Sequence, residues 1–185
     1  LNKEERQKRN VTQELRILIA YGSTDPLGLT LHALRILDTK RLRLNSVDIM
    51  ISKEAKILGK IKEKCLKAKV NCKLHINCDY PEKLMKRCNL GMISGGLVSY
   101  EMSSLPKQSL ITPINSIQEQ SAAIIEDYGI ARLVQPHEMR SISKTDAIID
   151  KIIELSKMSL DQPIFDPGGA ENCKSRILLE YENLK

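Results

Sequence analysis

Leu15-Arg16-Ile17-Leu18-Ile19-Ala20-Tyr21-Gly22-Ser23-Thr24-Asp25-Pro26-Leu27-Gly28-Leu29-Thr30 decides the fold of this 185-residue chain. Its first six residues form a short, almost continuous apolar run, the pattern of a strand buried on both faces. Gly22 to Gly28 then supply turn residues. From Leu29 the apolar positions Leu31, Leu34, Ile36 and Leu37 take helical spacing. The stretch therefore predicts strand, turn and helix, the opening unit of a parallel sheet.

The same unit recurs downstream. Val47–Ile51 predicts a strand, and Glu54 to Ala68 a helix with Ile57, Leu58, Ile61 and Cys65 on one face. Cys72 to Ile76, Leu90 to Ile93, Ser109 to Ile111 and Ala131 to Val134 read as further strands. Between them, Pro81 to Arg87, Val98 to Ser104 and Glu119 to Tyr128 read as helices. Thr145 to Met158 is a helix with Ile148, Ile149, Ile152, Ile153 and Leu155 inward, and a last helix follows Gly168-Gly169. Parallel strands need such crossovers, so the expectation is an α/β, doubly wound, parallel six-stranded sheet.

Composition bounds the function classes. Hydrophobic residues make up 42% and charged residues 28%, and no apolar run approaches the ~20 residues needed to cross a bilayer, so a cytoplasmic protein with no membrane span is expected. Residues 1–10 contain no initiator Met and no apolar signal-peptide core, which predicts a piece of a longer protein. Cys65, Cys72, Cys78, Cys88 and Cys173 are irregularly spaced and contain no Cys-x-x-Cys pair, so neither a zinc site nor a disulfide framework is implied. The net charge is +6, and many of the cations lie in the leading segment and on Lys53 to Lys73, where Lys56, Lys60, Lys62, Lys64 and Lys67 recur on the wet side of a helix. With one Phe and no Trp there are few stacking platforms, so nucleic acid is an unfavoured partner.

Ligands of such sheets bind beyond the carboxyl ends of the strands, which directs attention to the loops that follow them. Two are distinctive, Tyr21-Gly22-Ser23-Thr24-Asp25-Pro26 and Ser94-Gly95-Gly96-Leu97-Val98-Ser99. Gly22, Gly95 and Gly96 would let backbone N–H groups approach a phosphate, each following helix would turn its positive end to the anion, and Ser23, Thr24 and Ser99 would add hydroxyl donors. For either loop alone, tight turns and a helix start explain the same residues. Two such loops together favour a phosphate cradle. Neither carries the glycine pattern of a dinucleotide fold or a P-loop.

Glu101 lies in the first turns of the second helix, placed either to accept from a ribose or to complement the helix dipole. Ile114 to Gln120 offers amides and hydroxyls for a sugar or phosphate; the same residues read as a cap, with Ser116 and Glu119 as a capping box. His32, His75 and His137 show no catalytic or metal spacing, and His75 reads as a satisfied imidazole inside a strand. No catalytic residue, no metal site and no cofactor is assigned.

These motifs resemble the carboxyl-terminal half of two-domain GT-B proteins, especially the UDP-sugar hydrolases of pseudaminic acid synthesis and related spore-coat polysaccharide proteins. The first loop is similar to that family's Phe-Gly-Gly-Ser-Asp-Pro turn, and Ser94 to Glu101 is similar to its small-residue turn followed by a helical Glu. The spacing from Gln118 to Gly129 and the tail Asp166-Pro167-Gly168-Gly169-Ala170-Glu171 fit the same pattern. The resemblance implies a UDP-sugar or related nucleoside diphosphate sugar as ligand, Glu101 on the ribose, and Gln118 and Glu119 on the sugar or phosphate. It implies residues 1–14 as a basic linker, residues 15–185 as the nucleotide-sugar domain, and an amino-terminal domain that carries the catalytic groups. Activity would be that of a sugar hydrolase or glycosyltransferase of surface-glycan synthesis. Ser23, Thr24 and Ile117 depart from the family pattern, which keeps a second reading open, a non-catalytic module attached to a sugar-activating enzyme.

Overall fold

A computed structural model describes residues 14–158, 160, 165 and 168–183. The linker predicted for residues 1–14 lies outside them except for Glu14, as do Asp166 and Pro167 of the tail motif. The strands are β1 (Leu15–Ala20), β2 (Leu44–Ile51), β3 (Asn71–Ile76), β4 (Leu90–Ile93), β5 (Gln108–Ile111) and β6 (Ala131–Leu133). They form one sheet in the order β3-β2-β1-β4-β5-β6, and every neighbouring pair is parallel. Chain connections run outward in opposite directions from β1 and β4, which makes the space beyond their carboxyl ends the switch point.

Strand alternation explains why helices cover both faces. In β1, Ile17 and Ile19 point into one apolar cluster, while Leu18 and Ala20 point into the other. The first cluster is closed by α1 (Leu29–Leu37), α2 (Leu58–Lys67) and, further along the chain, Thr145–Lys157. The second is closed by α3 (Pro81–Arg87), α4 (Leu97–Ser103) and α5 (Ser116–Asp127) through Leu84, Met85, Met102, Ala122 and Ile125. Ile17, Leu18 and Ile19 are all fully buried. Each such side chain stabilises the fold by ~2 kcal/mol relative to an exposed one.

Three local expectations need correction. Pro136–Arg140 forms a short helix, α6, that the periodicity misses because five residues are too few to show a face. Its signal is chemical: Pro136 stands at the start, and Gln135 and Glu138 form a capping box. The helix Thr145–Lys157 is therefore α7, and Gly169–Asn183 is α8. Helix α5 begins at Ser116 rather than near Glu119, and its cap is Asn115, whose Oδ1 accepts from the Gln118 N–H at 3.0 Å. Ser116 and Glu119 thus form no capping box. Helix α2 is also shorter than predicted, because residues 52–57 are spent on turns.

His32 on α1 carries a pH dependence. Burial first, then the charges of Arg35 and Arg140, hold its imidazolium below the ordinary value of 6.5, with Asp25 opposing. The unfolded chain therefore binds more protons there on acidification, and stability falls as pH drops through and below that value. His32→Gln is expected to flatten this acid limb, seen as a smaller change in urea midpoint between pH 7.5 and 5.5.

Candidate functional site

A cavity of about 630 Å³ opens beyond the carboxyl ends of the strands. That volume suits a nucleotide-sized ligand. One wall is made by Gly22 and Ser23 after β1, Ser94, Gly96 and Leu97 after β4, and Ile114 and Gln118 after β5. The other is made by Ser52 after β2 and by Asn77, Cys78 and Asp79 after β3. The two glycine loops do meet at one crevice, but their residues have unlike tasks.

In the first loop the chain reverses through Gly22, whose φ of 83° lies in the left-handed region where a side chain is strained. The Ser23 carbonyl accepts from the Ser52 N–H at 2.7 Å, and the Asn77 side chain accepts from the Lys53 N–H at 2.9 Å. Three strand-end loops are thereby stitched together. Asp25 is buried, with one carboxylate oxygen accepting from Leu29 N–H at 2.8 Å and the other from Thr30 N–H at 2.7 Å. This corrects the expectation that α1 turns free donors to a ligand. Its first N–H groups are held by Asp25, a carboxylate supplied by the chain itself. Ser23 remains on the cavity wall, whereas exposed Thr24 lies outside it.

In the second loop Gly95 answers to packing. A Cβ at that position would stand 2.8 Å from the Gln118 carbonyl oxygen and 3.1 Å from Gln118 Cβ. Only glycine lets the start of α5 come this close. Gly96 is the N-cap of α4 and has no side-chain cap, so the N–H groups of Leu97 and Val98 lack intrahelical partners where they border the cavity. Ser99 is fully buried and its hydroxyl donates to the Gly96 carbonyl at 2.7 Å. It braces the turn and is absent from the residues that line the cavity.

Gln118 is the best-placed of the predicted polar side chains. Its Oε1 accepts from the Ile114 N–H at 3.1 Å, which orients the amide and leaves Nε2 beside Gly96. Glu101 is exposed one turn beyond Leu97 on the same side of α4, outside the cavity wall. Glu119 is exposed and also off the wall. Ser52, Asn77, Cys78 and Asp79 were missed by the sequence reading. Their signal was positional, since all four directly follow strands.

Away from the cavity wall, the sheet joins two groups whose spacing in sequence shows no relation. His75 on β3 places Nε2 2.7 Å from Asp48 Oδ1 on β2, and its other nitrogen lies 3.4 Å from the Tyr80 hydroxyl. This supports the reading of His75 as a satisfied imidazole. Among the described residues no group of three His, Cys, Asp or Glu is placed to hold a metal ion. No helix among them is long and apolar enough to cross a membrane.

A six-stranded parallel sheet flanked by helices, with its crevice at the β1/β4 switch, defines a doubly wound, Rossmann-like α/β unit, a fold shared with GT-B glycosyltransferases. Solved structures agree. MurG of Acinetobacter baumannii superposes with a TM-score of 0.70 at 16% identity, over 95% of this chain and 52% of that one. The glycotransferase of kitacinnamycin does so with a TM-score of 0.58 at 18% identity, over 80% of this chain and 36% of that one. MrsD from Bacillus sp. HIL-Y85/54728 gives a TM-score of 0.51 at 10% identity, over 79% of this chain and 98% of that one. The chain thus spans about half or less of the two first-named proteins. No family model and no curated protein matches the sequence.

Proposed function

We propose that the crevice binds the nucleoside diphosphate part of a UDP-sugar, and that residues 15–185 are the nucleotide-sugar domain of a GT-B glycosyltransferase or sugar hydrolase of glycan synthesis. The observation that carries this is the convergence of Ser23, Gly96 with the open N–H groups of Leu97 and Val98, and Gln118 on one cavity at the switch point. Donors without fixed charge suit a diphosphate that is held by orientation. No Lys or Arg occurs among the described lining residues. A polyphosphate backbone would find no ion-pair partner in this crevice, which disfavours nucleic acid as its ligand.

In this reading Glu101 meets the ribose at the outer rim, Gln118 and Glu119 face the sugar side, and residues 1–14 lead to an amino-terminal domain with the catalytic groups. The part this chain plays is then to bind and orient, since a second wall is needed to close the reacting atoms from water. Likeness to a glycotransferase favours sugar transfer; the loop motifs favour the hydrolases of pseudaminic acid synthesis. An alternative is a non-catalytic module, favoured by the Ile117 side chain, which is 76% exposed at the start of α5 where the family pattern has an amide.

Calorimetric titration distinguishes these readings. UDP is expected to give saturable heat with a Kd of roughly 0.1–1 mM, ordinary for half a cleft. Glu101→Ala should weaken UDP about fivefold and leave pyrophosphate unchanged. Absence of heat with UDP, CMP and UDP-N-acetylhexosamine at several millimolar would favour the non-catalytic module.

A further inference from the structure

We propose that the outer face of α2, with the connection that follows it and the start of β3, is a docking surface for an anionic lipid bilayer. This surface lies outside the cavity wall and is independent of the nucleotide reading. Residues 53–73 hold eight lysines and two glutamates, an excess of six, which is the whole formal charge of the chain. The remaining 21 basic side chains are matched by 21 acidic ones. Within the segment, Lys67 pairs with Glu63 at 2.5 Å and Lys53 with Glu54 at 3.8 Å. Lys56, Lys60, Lys62, Lys64, Lys69 and Lys73 have no carboxylate at salt-bridge distance among the described residues. An ordinary solvated face intersperses the two signs; a run of one sign raises a field that gathers a polyanionic surface.

Apolar side chains share this surface. Helix α2 turns Ile61 into the core and leaves Leu66 88% exposed between Lys62, one turn earlier, and Lys67. Lys69 and Lys73 continue the charge onto the connection and onto β3, the edge strand, which no further strand of the sheet covers. Lys40, Lys64 and Lys69 also edge a cavity of about 240 Å³ whose wall includes Leu44 and Val70.

That mixture fits a bilayer better than a nucleic acid. The chain has ten arginines and none lies among residues 53–73, whereas phosphodiester recognition favours the bidentate guanidinium. The segment also contains no aromatic ring to stack on a base. An anionic leaflet asks only for positive charge near its surface, and each lysine there strengthens binding about fivefold. Leu66 enters the boundary between headgroups and acyl chains, where its burial adds to the attraction. With ten residues, α2 lies on such a surface and does not cross it.

The test is cosedimentation of the whole chain with vesicles of phosphatidylcholine alone and of phosphatidylcholine with about 30% phosphatidylglycerol, at about 0.1 M salt. Sedimentation with the anionic vesicles only, and release at about 0.5 M salt, are expected. The triple variant Lys60→Gln, Lys62→Gln, Lys69→Gln should weaken binding about a hundredfold, at about fivefold for each lysine. A control with the same loss of charge elsewhere, Lys86→Gln, Lys144→Gln, Lys157→Gln, should bind like the parent. All six positions are exposed, so urea midpoints should be unchanged. Leu66→Ser should weaken vesicle binding about tenfold. The proposal is overturned if the anionic vesicles leave the chain in solution at millimolar lipid, if neutral vesicles bind it equally, or if the two triple variants lose equal affinity. It is also overturned if a single-stranded RNA binds more tightly than the vesicles and Leu66→Ser changes neither.

Discussion

Replacing Asp25 by alanine is expected to destabilise the protein by about 3 kcal/mol, the largest effect of any single polar substitution in the crevice loops. The carboxylate is 3% exposed and is the acceptor for two helix N–H groups. Truncation leaves both donors buried and removes the charge that complements the α1 dipole. Asp25 also holds a φ of 43°, which an alanine tolerates less well than an aspartate. Urea unfolding measures the loss directly. A change under 1 kcal/mol would mean that water replaces the carboxylate and that α1 does have donors to spare for a ligand.

A second large effect is expected from one methyl group. Gly95→Ala places its Cβ at 2.8 Å from a backbone oxygen, inside the distance that real Cβ atoms keep, so the first turn of α5 must move. The cost is about 2 kcal/mol, typical of overpacking. Because Gln118 rides on that turn, UDP affinity should fall about tenfold as well. Gly96→Ala is the control, since its nearest neighbour is Gln118 Nε2 at 3.3 Å, the end of a side chain that can yield. Equal stability and equal affinity for the two variants would show that the close approach of α5 to the loop is not what requires glycine.

How much of this was legible in the sequence depends on the range of the interaction concerned. Strand β1, helix α3 and strand β4 stand where their local patterns put them, because burial on both faces and a proline at a helix start are written within six or seven residues. The helix-start reading of Asp25-Pro26 agrees with the structure, although the two bonds that Asp25 accepts show only once α1 is folded onto it. Gly95 was read as a phosphate glycine. The atom that requires it belongs to Gln118, twenty-odd positions later, and no local pattern reports that contact. The partnership of Asp48 with His75 was equally invisible, since it arises from the register that sets Met50 opposite His75. The gathering of the glycine loops at one crevice was legible, because strand order and the carboxyl-end rule are general.

The internal carboxylate at the start of α1 separates two jobs that one loop usually combines. Folding information resides in Asp25, Gly22 and the Ser23 carbonyl, which hold the helix, the turn and the neighbouring loop. The hydroxyls of Ser23 and Thr24 hold none of these. Their identities are thus free to drift, so a lineage could exchange one anionic ligand for another, or lose it entirely, while inheriting the same architecture.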